Sequence, residues 1–365
     1  MQIYLRLLLT VLVVFQVSSC SHTPILPLGQ EQVVPNEDQT VKDISRILSH
    51  HLEEQYSGKM FLRDTHPKDN GCIHGTFSIN SNISEEFQHG IFQPGSSYPV
   101  WMRFSNSVEE LTDDIEDDFR GLGLKVTKVN GERVPEPGDE QHTQDFLFLG
   151  HDAFFAANPQ EFFDFFEAAF SGRTPLFLVT HLKGAFNIFQ GSKKYKNPLN
   201  VKWNSVTPYA LGPQKNKTFK NVVRYAIRTC SVNSGEIPEP PTPDYLSENL
   251  QKQLKNGEGC LDFFIQKQVD PVKMPTENAL VAWDEKLSPF IKIARITLPK
   301  QVFTSEKQKS FCENISFNPW HSLVEHQPLG GINRARKVVM KNISDLRLKE
   351  NKVERFEPTG DENFE

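Results

Sequence analysis

A histidine, two arginines and a serine stand among apolar neighbours where their polarity calls for a partner. His74 lies in "NGCIHGTFSI", residues 70–79. Ile73, Phe77 and Ile79 alternate there with Cys72, His74, Thr76 and Ser78, the two-residue period of a strand. His74 can thus be a surface residue, a core histidine or a catalytic group. In "VWMRFSNS", an extended chain puts Trp101, Arg103 and Ser105 on one face and Val100, Met102 and Phe104 on the other. In "GINRARKVVMKNISDL", Ile332, Arg336, Val339, Met340 and Ile343 recur at helical spacing, which sets Arg336 in an apolar stripe one turn before Met340. A buried guanidinium needs a carboxylate, phosphate or phenolate close by.

This set suits a haem. The propionates of that group need arginines, its ring needs apolar walls, and its iron chemistry needs an acid–base side chain on the open face. The 28 phenylalanines of the chain supply walls in abundance. The competing reading is that each polar group is an ordinary buried residue with a partner in the protein.

The elements that must position these residues are short and closely spaced. Strand-like runs fall at 71–80, 98–104, 121–129 and 144–149, with later ones in "NVVRYAIRTC", "CLDFFIQKQ" and "FIKIARITL". Helical patterns fall at about 40–57, in "NPQEFFDFFEAAF" with Asn158 as cap and Pro159 in first position, and from Gly331 to Lys349. The pattern predicts an α+β domain, an antiparallel sheet or barrel with helices packed outside it, over residues 41–350. Residues 20–40, rich in Pro, Gln and Thr, read as a flexible tether, and residues 351–365 as an acidic, loose tail. No P-loop, dinucleotide fingerprint, HExxH or GxSxG occurs.

A net charge of -6 over 365 residues gives no electrostatic case for nucleic acid or for an anionic membrane. Residues 1–19 carry Arg6 and the apolar run "LLLTVLVVF", a secretory signal too short to span a bilayer. The signal ends in "VSSC", similar to a bacterial lipobox, which implies export with a lipid anchor at Cys20 as the sole membrane contact, or an ordinary secreted protein. Four cysteines then remain, Cys72, Cys230, Cys260 and Cys312; they allow three pairings and contain no CxxC. Sequons at Asn82, Asn216, Asn314 and Asn342 matter only in a eukaryotic host.

In order along the chain, "GCIHGTF", "VWMRFSNS", "DDFRGLGLKV", "TQDFLFLGHDAFF", "NPQEFFDFF" and "SFNPWHSLVEHQPLGGINRARKVVM" resemble the catalase superfamily, above all its small, catalase-related peroxidase branch. The allene oxide synthases that share the fold are more distant. The resemblance covers roughly residues 55–345. It implies haem b inside an antiparallel β-barrel wrapped by helices, and turnover of hydrogen peroxide or organic hydroperoxides. It also implies roles by position. His74 falls on the distal histidine, Ser105 on the serine that orients it, and Arg103 on a propionate-binding arginine. Arg120 falls on a structural arginine, and Phe155 near the phenylalanine that packs on the porphyrin.

Two positions depart from the pattern. Thr143-Gln144 stands where the family has a distal asparagine, leaving Gln144 as the amide available to a bound peroxide. The family's iron-ligating tyrosine lies four residues after an arginine. Here Arg336 is followed by Met340, and no tyrosine occurs after Tyr245. A neutral thioether favours ferrous iron where a phenolate favours ferric, so Met340 as axial ligand implies reduced or altered activity. The alternatives are a non-catalytic haem- or lipid-binding protein, or a hydroperoxide-rearranging enzyme like allene oxide synthase.

Overall fold

The computed structural model describes residues 26–364 except 109, 136–139, 216–217 and 232–234. The signal segment, Cys20 and Asn216 lie outside the described residues. Among the described residues nine strands form one antiparallel sheet: β1 (Asp69–Ile79), β2 (Ser97–Asn106), β3 (Arg120–Val126), β4 (Gln144–Leu149), β5 (Trp203–Asn204), β6 (Tyr209–Lys215), β7 (Thr218–Thr229), β8 (Gly259–Lys267) and β9 (Ile291–Leu298). Their order is β5-β4-β3-β2-β1-β9-β8-β7-β6. A pairing of β5 with β7, Trp203 opposite Ile227, closes eight of them into a barrel.

Alternation dictates what fills it. Ile73 and Phe77 of β1, Met102 and Phe104 of β2, and Phe146 and Phe148 of β4 are all buried in one core. The Phe263 ring of β8 meets those of Phe77, Phe146 and Tyr225 at 5.1, 5.4 and 5.4 Å. The barrel interior is therefore packed with side chains, and the expectation of a ligand inside it is corrected.

Among the described residues seven α-helices flank the barrel: α1 (Glu37–Tyr56), α2 (Pro159–Phe170), α3 (Thr174–Thr180), α4 (Leu182–Gly191), α5 (Tyr245–Asn256), α6 (Glu306–Asn314) and α7 (Gly331–Glu350). None among the described residues is long and apolar enough to cross a membrane. Val41, Ile44 and Leu48 of α1 pack against Phe166 of α2 and Val339 of α7. Helix α2 begins as its sequence requires: Glu161 N donates to Asn158 Oδ1 at 3.1 Å, and Glu161 reaches back to Ala157 N at 2.8 Å.

Both segments read as loose make specific contacts. Glu31, in the stretch read as a tether, meets Arg334 of α7 at 2.7 Å, and Glu37 and Glu277 bind the same guanidinium. In the acidic tail, Glu362 accepts from Trp101 Nε1 at 2.9 Å, and Phe364 packs on Phe311. Of the three possible disulfide arrangements the chain adopts Cys72–Cys312 and Cys230–Cys260. The first ties β1 to α6.

Candidate functional site: a cavity outside the barrel wall

A cavity of about 770 Å³ lies between the outer face of β2–β4 and the helices α1, α2 and α7. Its size falls in the range of sites that enclose a cofactor-sized ligand. The floor is flat because β3 alternates glycine outward. Gly121 lies opposite Ser105 and Gly123 opposite Arg103. The walls are apolar, built by Phe154, Phe155, Phe165, Phe166, Val339 and Met340. Phe155 lines the cavity, its ring 4.5 Å from that of Phe165.

The histidine in this cavity is His66. Its Nδ1 lies 3.0 Å from Ser105 Oγ and 3.3 Å from Ser107 Oγ. Ser105 Oγ also donates to Gly121 O at 3.4 Å. With that hydrogen directed at the carbonyl, Ser105 accepts from Nδ1–H, and Nε2 is left unprotonated. A Cβ at Gly121 would stand 2.3 Å from His66 Cε1, so glycine there is a condition for the imidazole's position. His66 has φ +66°, a conformation that a non-glycine side chain adopts at a cost and that clusters at functional sites. Arg103 fixes the same backbone by donating to His66 O at 3.0 Å and Pro67 O at 3.3 Å. Burial, followed by the field of Arg103, pushes the imidazole down to about 3, which keeps it neutral at physiological pH.

Assignment of the distal role to His74 is therefore corrected. His74 shares the outer face of the wall with Arg103 and Ser105, as the alternation required, but pairs with Trp101. Four residues of strand separate Trp101 from Ser105, about 13 Å. His74 is exposed, its ring edge-on to Trp101 and its backbone held by Gln301.

Gln144 is corrected as well. On β4 the outward residues are Asp145, Leu147 and Leu149, opposite Lys125, Gly123 and Gly121. Gln144 points the other way. Its amide donates to Ser322 Oγ at 3.2 Å and accepts from Leu323 N at 3.0 Å. Leu147, not an amide, faces the cavity.

One end of the cavity is cationic. Arg63 and Arg347 join Arg103 in its lining, and all three approach Glu313 of α6, at 3.0, 3.5 and 3.8 Å respectively. Asp69 is the other carboxylate in their field. Three guanidiniums thus face two carboxylates. Burial lowers Arg63 and Arg347 from their usual values, and Arg103 adds to it. An anion at this end would relieve their mutual repulsion. Sequence reading missed Arg63, His66, Glu313 and Arg347. The first two lie in an irregular stretch before β1, and the disulfide at Cys312 is what brings Glu313 in.

Arg336 and Met340 of α7 also line the cavity. Arg336 donates to Thr207 Oγ1 at 3.2 Å and Asn333 Oδ1 at 3.3 Å, and lies 5.2 Å from the Phe154 ring centre. Burial lowers its pKa. No tyrosine lines the cavity among the described residues. Tyr209, the phenol acting on Arg336, belongs to the barrel core, where burial pushes it up to about 12.

Beside the floor, on the same outer face of β3 and β4, lies a buried charge cluster that the sequence reading did not foresee. Lys125 Nζ meets Asp145 at 2.8 Å and also binds Glu140, while His321 Nδ1 meets Asp145 at 2.8 Å. Glu140, Asp145 and His321 are grouped as metal ligands would be, but the ammonium of Lys125 already occupies the cationic place.

The barrel, its helical cover and the cavity between them define a catalase-like α+β fold. A fungal catalase superposes with a TM-score of 0.63 at 17% identity, over 83% of this chain and 61% of its own. Catalase A from Saccharomyces cerevisiae gives 0.62 at 18%, over 82% and 63%. A bacterial catalase gives 0.61 at 18%, over 90% and 64%. The chain thus spans less than two thirds of the length of these catalases. No protein-family model and no curated protein matches its sequence.

Proposed function

We propose that this cavity binds haem b and that the protein turns over hydrogen peroxide or organic hydroperoxides. The observation that carries the reading is the pairing of His66 with Ser105 in an apolar cavity, beside a cluster of three arginines. The donor set suits the group. Arg63, Arg103 and Arg347 are placed for two carboxylates, and the phenylalanines for a flat apolar ring. Bound haem would supply the redox-active iron that the polypeptide lacks. His66 Nε2 takes a proton from the peroxide and returns it to the departing oxygen, while Ser105 holds the ring. The phenylalanine walls keep bulk water from that proton.

The iron-facing side differs from the family pattern. Met340 offers a neutral thioether where a phenolate would be anionic, so the activity is expected to be slow or altered. That the described cavity lining offers Met340 and no tyrosine favours a second reading, storage or transport of an amphipathic carboxylate without catalysis. Export is part of the proposal, with Cys20 as a lipid anchor; the two disulfides support an oxidising compartment. The test is peroxide consumption by haem-loaded protein, with oxygen release and donor oxidation followed in parallel. Turnover that falls with His66→Ala supports the enzyme reading. Bound haem without turnover supports the second.

A further inference from the structure

We propose that α3 and α4 form a docking surface for an anionic lipid membrane. Leu176 and Val179 of α3 are 58% and 65% exposed, and Leu182, Phe186 and Phe189 of α4 are 72%, 55% and 75% exposed. The last three recur at i, i+4 and i+7, one stripe of a helix. Phe186 and Phe189 are the only phenylalanines among the exposed large apolar residues described.

The exposure is built in. Asn187 on the other face of α4 donates to Phe154 O at 2.7 Å and Leu280 O at 3.1 Å. Gly184 lets the helix press on the Phe155 backbone, where a Cβ would come within 2.3 Å of the carbonyl oxygen. The helix is thus anchored with its apolar stripe turned outward.

Charge selects the occupant. Between Ala168 and Lys202 the chain has no Asp or Glu but carries Arg173, Lys183, Lys193, Lys194, Lys196 and Lys202, within a protein of net charge -6. Lys183 lies over the Phe186 ring at 5.6 Å, and Lys193 is exposed. Arg173, Lys194 and Lys196 pair with Glu167, Asp117 and Glu236, which leaves Lys183 and Lys193, with the exposed apolar stripe, to match the headgroups and acyl boundary of an anionic bilayer. A second copy of this acidic chain would have to bring its own complementary patch. The same helices give Thr174, Leu178 and Ile188 to the cavity lining, and Ser192, which follows α4, joins them. An acyl hydroperoxide would therefore pass from the bilayer along this face. This substrate route rests on the proposed function; the docking itself does not.

The test is flotation of the full chain, carrying Cys20→Ser so that no acyl group there can anchor it, with phosphatidylcholine vesicles containing or lacking phosphatidylserine. Binding is expected only with the anionic lipid at 0.1 M salt, with loss at 1 M, where the Debye length falls to about 3 Å. Leu182→Ser/Phe186→Ser/Phe189→Ser should weaken it at least about ten-fold, and Lys183→Gln and Lys193→Gln about five-fold each. Thermal unfolding should stay unchanged, since these side chains are exposed. No flotation, or equal flotation of the variants, overturns the proposal. So does a dimer that the triple substitution dissolves without any vesicle binding.

Discussion

Ser105 Oγ stands 3.0 Å from Nδ1 of His66, a residue outside every regular element. The serine is delivered by β2 and the histidine by the irregular turn before β1, so two separately placed backbones define one imidazole orientation. Removing the base, His66→Ala, should lower peroxide turnover by about 10²–10⁴-fold. Ser105→Ala should cost less and act on kcat rather than KM. Gly121→Ala, which thrusts a methyl at the ring, should resemble Ser105→Ala in its kinetics and cost about 1–3 kcal/mol of stability. Steady-state kinetics on haem-loaded variants checks all three.

The position of Met340, one turn after Arg336 on α7, sets the second prediction. Met340→Tyr gives the cavity an anionic ligand and gives Arg336 a phenolate partner. Peroxide turnover should rise about ten-fold or more, with the iron shifting toward the ferric state. Unchanged activity despite bound haem would show that Met340 does not face the iron.

Acid should weaken the fold before carboxylates titrate. His326 is fully buried, accepts from Ile91 N at 3.1 Å, and is pushed by burial down to about 3. The unfolded chain binds a proton near pH 6.5 that the folded chain refuses, so stability is lost as pH falls below 6.5. Between pH 7 and 5.5 this one group removes about 1.3 kcal/mol. His66 acts in the same direction. Asp64 and Asp118, raised by burial, act in the opposite direction, but only as the pH nears the carboxylate range. Denaturant midpoints at the two pH values test this, and His326→Gln should flatten the slope.

Lys125 neutralises two buried carboxylates beside the cavity floor, on the same face of the sheet. Burial alone would lower its pKa, but Asp145 and Glu140 raise it. Lys125→Met leaves those acids facing each other without a cation and should cost about 3–5 kcal/mol. Urea unfolding measures it; a loss under about 1 kcal/mol would mean that the acids protonate at little cost.

Much of the frame was legible. Period-two runs at 71–80, 98–104, 121–129 and 144–149 correspond to β1–β4, and the stripe holding Arg336 and Met340 corresponds to α7. Parity put Arg103 and Ser105 on one face of β2, which is the face that lines the cavity. Parity does not give position along a strand, and so His74, on the right face, falls four residues too far. His66 has no periodic signal: it precedes Pro67 and occupies a left-handed conformation that only the folded surroundings impose. The same limit applies to charge. A net value of -6 hid the acid-free segment around α4.

Titration of haem into the purified protein, followed by the Soret absorption, tests the central claim most directly. One haem per chain should bind, and Arg63→Ala or Arg347→Ala should weaken binding by about 10–150-fold, the worth of one charge-assisted hydrogen bond. His66→Ala should still bind haem, with a shifted band. Absence of a saturable Soret band in the wild-type protein, or arginine variants that bind as tightly, would contradict a haem site in this cavity.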